Sequence, residues 1–174
     1  MSEIIVFLLL SAGIIWYSLP SLRNPRVHGF YRFFAFEAVL GLLLLNMRGW
    51  FRDPFSTHQL FSWILLAGSL FLVIHALTLL HRIGQPQGSF EQTTQLVKMG
   101  AYTYIRHPMY ASLLYFAWGV FFKSPSLLDG LIAAVASAFL YATGRVEEAG
   151  NLDKFGAVYG EYIKETKMFI PYLF

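Results

Sequence analysis

The chain has 174 residues, of which 56% are hydrophobic, 18% aromatic and only 13% charged, with a net charge of +3. A soluble domain of this length carries roughly a quarter charged residues, so the composition points to a bilayer instead. The lack of cysteine excludes disulfides, zinc–thiolate and iron–sulfur sites and a cysteine nucleophile. The basic residues sit beside apolar stretches rather than in a stripe with interleaved aromatics, which argues for membrane topology and against a nucleic-acid partner.

Five apolar stretches follow one another: Ile4–Leu19, Phe33–Met47, Leu60–Leu80, Met109–Phe122 and Leu127–Thr143. A membrane-crossing helix needs about 20 apolar residues. The third stretch reaches that length, and the first two reach it with their flanks. The last two are short and separated only by Lys123–Ser126, as in a tight helical hairpin. The expected fold is therefore all-α: a polytopic integral membrane protein of about five transmembrane helices, closed by an amphipathic tail helix in the cytosol. Four spans plus a re-entrant hairpin is the alternative. The first stretch lacks a basic leader and a small-residue cleavage site, so it reads as a span and not as a signal peptide. The chain reads as a single membrane domain, 1–174, with Gly84–Gly88 dividing N-terminal transmembrane helices (1–83) from a chemical half (84–174).

Arg23, Arg26, Arg32, Arg82, Lys98, Arg106, Arg145, Lys154, Lys164 and Lys167 fall in alternate loops and the tail; only Arg48, Arg52 and Lys123 fall on the other side. The positive-inside rule then places the N-terminus outside and the catalytic loops and C-terminus in the cytoplasm. The same rule puts Arg106–Tyr110 and Arg145–Glu148 on one face, where soluble metabolites arrive.

Those two segments carry the chemistry. Proline suits the first position of a helix, so a fourth helix starting at Pro108 would leave early N–H groups without intrahelical acceptors. Such an end attracts anionic or electron-rich atoms, with Arg106 and His107 beside it as fixed and titratable donors. An ordinary helix start with an interfacial arginine accounts for the same residues, and both readings stay open. On a helix Arg145 and Glu148 share a face while Glu147 points elsewhere. A carboxylate there pairs either with a ligand's ammonium or with Arg106, or it belongs to a solvated patch. Phe155, Tyr159, Tyr162, Phe169 and Tyr172 read first as interfacial anchors of the tail. Glu37 and His75, inside apolar stretches, are functional candidates by position, although pairing of Glu37 with Arg32 and a helix–helix hydrogen bond from His75 are the simpler roles. His28, His58 and His81 show no metal-ligand spacing, so no metal is expected.

The run Leu96-Val97-Lys98-Met99-Gly100-Ala101-Tyr102-Thr103-Tyr104-Ile105-Arg106-His107-Pro108-Met109-Tyr110, then Arg145-Val146-Glu147-Glu148, Phe155-Gly156 and Pro171, resembles the isoprenylcysteine carboxyl methyltransferase family, grouped with the membrane phospholipid methyltransferases. The match covers Gln87 to Pro171 and is specific in combination. It implies a compact prokaryotic enzyme using S-adenosylmethionine and releasing S-adenosylhomocysteine. By resemblance, Gln87, Thr94, Gln95, Leu96, Val97, Gly100, Tyr102, His107, Pro108, Met109, Tyr110, Glu147 and Glu148 surround the cofactor, and Arg145, Glu148 and His107 are the catalytic candidates. Ser112 stands where the family often has glycine. The implied acceptor is an isoprenylated cysteine carboxylate or similar lipid-like molecule entering from the bilayer. A phospholipid amine is the competing acceptor. A sterol-like lipid reductase and a non-enzymatic scaffold are the readings from other classes.

Overall fold

The computed structural model describes residues 2–85 and 93–174. Six α-helices follow in order: α1 Ser2–Leu22, α2 His28–Asn46, α3 Thr57–Arg82, α4 Pro108–Phe121, α5 Leu127–Phe155 and α6 Ala157–Glu165, with single 3₁₀ turns at Met47–Gly49 and Gly100–Thr103. No strand occurs among the described residues, and Ile105 and Lys167 form an isolated parallel bridge. α1, α2, α3 and α5 are long and apolar enough to cross a membrane. α4, with 14 residues, extends about 21 Å at 1.5 Å per residue, short of a hydrocarbon core about 30 Å thick. Large apolar side chains such as Leu9, Trp16, Ile64 and Phe71 face outward from α1 and α3. A soluble protein would hide them; lipid accepts them. The protein is an all-α polytopic integral membrane protein.

Local chemistry sets the helix ends. α4 starts at Pro108, as the sequence predicts, and its first turn closes through the Ala111 N–H to the His107 carbonyl at 2.8 Å. Ser126 caps α5 reciprocally: the Asp129 N–H donates to Ser126 Oγ at 3.1 Å, and Ser126 Oγ donates to the Asp129 carboxylate at 2.6 Å. α5 continues well beyond its apolar stretch, so Arg145, Glu147 and Glu148 sit on helix and not on an exit loop. It ends at Gly156, whose φ of 58° is a conformation glycine adopts without strain. In α6, Tyr159 and Tyr162 are buried while Val158, Glu161 and Lys164 are exposed, an amphipathic division.

The chain packs into two compact units, Met1–Ala67 with Leu114–Glu147, and Gly68–Leu113 with Glu148–Phe174. The first has a core of Leu42, Ala117, Val120, Ala133 and Ala136, flanked by Leu66 and Trp50. Its alanines and Gly119, where a Cβ would stand 2.9 Å from the Leu66 side chain, allow the close helix approach that association in lipid requires. Ser62 Oγ donates to the Gly119 carbonyl at 2.7 Å, and the Trp118 indole N–H donates to Ser137 Oγ at 3.1 Å. The loop ends of this unit are held by Gln59 and Lys123, both buried. Lys123 Nζ lies 3.1 Å from the Trp63 ring centroid and donates to Gln59 Oε1 at 3.0 Å. Desolvation lowers the Lys123 pKa below the ordinary lysine value. The second unit has Ala76, Val97 and Tyr102 at its core, with Leu79, Ile83 and Met109 around them.

Candidate functional site

The second unit assembles its polar centre from three chain segments. The first is the connection from α3 to α4. Thr94 and Gln95 N–H groups donate to the Gly84 carbonyl at 2.8 and 3.2 Å, folding this connection back on the end of α3. Thr94 Oγ1 adds a bond to the Gln85 carbonyl at 3.0 Å. Val97 then enters the core. Gly100 turns the chain with φ 58°, and a Cβ there would stand 2.3 Å from His75 Nε2. His75 Nε2 accepts the Ala101 N–H at 3.3 Å, and its ring stacks on Phe71. An accepting Nε2 places the ring proton on Nδ1, so His75 acts here as a neutral peg for the turn. This is the plain structural role, taken with backbone and not with another helix.

The second segment is the tail. The Arg106 and His107 N–H groups donate to the Lys167 and Met168 carbonyls at 2.8 and 3.2 Å, and the Lys167 N–H donates to the Tyr104 carbonyl at 3.0 Å. Tyr162 Oη donates to the Tyr102 carbonyl at 2.6 Å. Burial pushes the Tyr162 phenol above its ordinary range, because a phenolate would have to shed water there.

The third segment is the end of α5, which delivers Glu148. Its Oε1 accepts from Arg106 Nε at 2.6 Å and from His107 Nε2 at 3.3 Å. The side chains of Arg106, His107 and Glu148 are 9%, 3% and 4% exposed. Arg106 also donates to the Ile163 and Thr166 carbonyls, so one guanidinium joins the start of α4, the end of α5 and the C-terminus of α6. The imidazole of His107 stacks on Tyr110 at 5.5 Å between centroids and meets Phe169 at 6.3 Å. With Nε2 donating to a carboxylate, His107 is fixed as orienter of Glu148 through that atom.

The predicted site residues therefore divide. His107, Pro108, Tyr110 and Glu148 are buried together in this unit, with Met109 half-buried beside them. Val97 and Tyr102 form the adjoining core, Leu96 is half-buried, and Thr94, Gln95 and Gly100 are exposed on the connection. Gln87 lies outside the described residues. Arg145 and Glu147 belong to the first unit; Arg145 is exposed, and Glu147 is half-buried and acts electrostatically on His28. The two neighbouring glutamates thus have different surroundings: Glu148 bonds Arg106 and His107, and Glu147 acts on His28. Glu37, also in the first unit, accepts from Ser11 Oγ at 2.8 Å. Among the described residues no cluster of three metal-ligating side chains occurs.

Sequence reasoning underrated Tyr162 and Phe169, which it read as interfacial anchors. Both are buried, one against the Tyr102 backbone and one against His107. Their signal was the regular aromatic spacing after Gly156, which cannot by itself distinguish lipid from a protein partner.

The chain is thus a polytopic helical membrane protein with a buried Arg106–Glu148–His107 cluster at the start of α4. Residues 57–157 match the family described as phospholipid methyltransferase, and the chain belongs to that family, as the motif resemblance implied. Methanethiol S-methyltransferase 1 of Bradyrhizobium diazoefficiens is 29% identical over 115 residues, which cover 64% of this chain. They cover 39% of that relative, so the chain spans about two fifths of the relative's length. No solved structure matches the chain.

Proposed function

We propose that the protein is a membrane methyltransferase that uses S-adenosylmethionine. The carrying observation is the buried Arg106–Glu148–His107 cluster at the start of α4, within the stretch that matches the family. The donor set suits that cofactor. Glu148 is a buried carboxylate, and a carboxylate is the side chain that accepts from an amino-acid ammonium. The start of α4 suits a carboxylate, and the Tyr110 and Tyr102 rings suit an adenine or a sulfonium face. When bound, the cofactor supplies an electrophilic methyl group on a positive sulfur.

The chain's own residues hold, orient and exclude water. Methyl displacement depends on alignment more than on acid–base help. Arg106 ties α6 and the tail over the cluster, Glu148 and His107 fix each other, and Phe169 and Tyr110 line the imidazole with apolar surface. The motif resemblance favours an acceptor that arrives as an anion and needs no base: a carboxylate on a lipid-like body, of which an isoprenylated cysteine is the leading candidate, with Arg145 to orient it. The second reading is a phospholipid amine, favoured by the family's description. The thiol acceptor in the relative's name is a third to include in any test. The distribution of Arg and Lys supports an outside N-terminus and a cytoplasmic face for the cluster.

The test is radiolabelled methyl transfer by purified protein to a farnesylated cysteine analogue, phosphatidylethanolamine and methanethiol. Base-labile label in the first supports the carboxylate reading, and label in the headgroup or in a volatile thioether replaces it. Absence of S-adenosylmethionine binding by calorimetry to folded protein would sink the enzyme reading altogether.

A further inference from the structure

The first unit contains a cavity of about 400 Å³ that the methyltransferase reading does not use. It lies where α2 ends, α3 begins and α4 turns into α5, and its walls include Asn46, Arg48, Arg52, Asp53, His58 and Lys123. None of these residues belongs to the unit that holds Glu148.

The floor is a built structure. Gln59 Nε2 donates to the carbonyls of Gly49, Arg52 and Lys123 at 2.9, 3.0 and 3.1 Å. Its Oε1 accepts from the Lys123 ammonium, which lies between the Trp63 and Trp50 rings. One side chain therefore locks the loop after α2 to the turn before α5. His58 is likewise fixed: Nδ1 faces the Phe122 carbonyl at 3.0 Å, and Nε2 faces Ser56 Oγ at 3.1 Å. A carbonyl only accepts, so Nδ1 donates, and the two contacts fix the plane of the ring.

What remains is a charge imbalance and an unanswered acceptor. Arg48, Arg52 and Lys123 stand against Asp53 alone in the walls. Glu3 bonds Arg48 at 3.0 Å, but that pair is solvent-exposed, and exposed pairs exchange partners at little cost. Asn46 is 2% exposed, and its amide N–H donates to the Leu42 carbonyl at 3.0 Å. That bond fixes the amide's orientation, and Oδ1 is left buried with no hydrogen-bond partner. A buried acceptor without a donor is destabilising, and a ligand donor would offset that loss. The cavity sits at the ends of two spans, the level where lipid phosphates lie, and basic pockets between membrane helices are suited to anionic headgroups.

We propose that this cavity binds the phosphate of an anionic glycerol-phosphate headgroup, with arginine on the phosphate and Asn46 Oδ1 accepting from a headgroup hydroxyl. The same chemistry could come from a membrane lipid or from a soluble glycerol phosphate. The test is the thermal unfolding of the full chain in a phosphate-free maltoside detergent. It is titrated separately with short-chain phosphatidylglycerol, short-chain phosphatidylcholine and glycerol 3-phosphate. A saturable rise in midpoint with phosphatidylglycerol well above that with phosphatidylcholine is expected. Arg52→Gln, an exposed residue whose change leaves the floor intact, should weaken it roughly tenfold or more. Asn46→Leu should erase the preference for phosphatidylglycerol. An equal response to glycerol 3-phosphate supports the site and names the soluble source. Equal responses to both lipids in the unaltered chain, a response unchanged in Arg52→Gln, or no response to any of the three overturns the proposal. S-adenosylmethionine binding serves as an independent measure of the other unit in every sample.

Discussion

Replacing Glu148 with alanine would remove the acceptor shared by Arg106 and His107, whose side chains are 9% and 3% exposed. Breaking a buried ion pair from one side costs about 3–5 kcal/mol, because the remaining charge stays desolvated. Arg106 keeps the Ile163 and Thr166 carbonyls as acceptors, which sets the expected loss near the lower end, about 3 kcal/mol. For a chain of this size each kcal/mol lowers the melting temperature by about 2–4 °C, so Glu148→Ala should melt roughly 6–12 °C below the unaltered protein. Glu148→Gln keeps an oxygen for one donor and loses only the charge, so its fall should be about half as large. Thermal unfolding in a single detergent measures both, and a cycle with Arg106→Met isolates the pair. Coupling of about 1 kcal/mol or more is expected. If both Glu148 variants melt within about 2 °C of the parent, or if the double variant is additive, the buried pair does not hold the end of α6 and the reasoning fails.

Tyr162→Phe removes the bond to the Tyr102 carbonyl and should cost about 1–2 kcal/mol in the same assay. Because the folded-state pKa of Tyr162 lies above its ordinary value of 10.0, the folded state holds the proton longer than the unfolded state does. Stability is then full below pH 10 and falls as pH rises above it. The alkaline melting curve should be shallower in Tyr162→Phe, and parallel curves would count against the burial. Gly100→Ala forces a side chain onto a φ of 58° and against His75, and should cost about 2 kcal/mol or more. Adding His75→Ala should restore only part, since the backbone strain persists; full restoration would refute the strain term. Gln59→Leu removes the donor to the Arg52 and Lys123 carbonyls and the acceptor for the Lys123 ammonium, and a melting loss below about 3 °C would show that the floor is not built as described. Arg145→Ala should lower methyl transfer at least tenfold while leaving S-adenosylmethionine affinity unchanged. Equal losses in both would place Arg145 in cofactor binding instead of beside the acceptor.

The sequence by itself determined the solvent and the class of secondary structure. Apolar stretches of span length, few charges and no cysteine leave the backbone no choice but helix in lipid, where every N–H must find its carbonyl locally. It also determined the start of α4, because Pro108 fixes its own φ and lacks the N–H that a helix interior needs. The cap on α5, seen in the bonds between Ser126 and Asp129, obeys a local rule of the same kind. These are local rules, and local rules are readable.

Tertiary structure alone decided which polar groups meet. Glu147 and Glu148 are adjacent and chemically identical, yet one is buried on Arg106 and His107 while the other acts on His28. That outcome depends on the rotation of α5 against segments forty residues away. Tyr162 and Phe169 read as lipid anchors until the bridge between Ile105 and Lys167 brought the tail onto the start of α4. The unanswered oxygen of Asn46 has no sequence signature at all. Burial and long-range pairing are properties of the packed chain, and a side chain's identity fixes what it can bond, not what stands within reach.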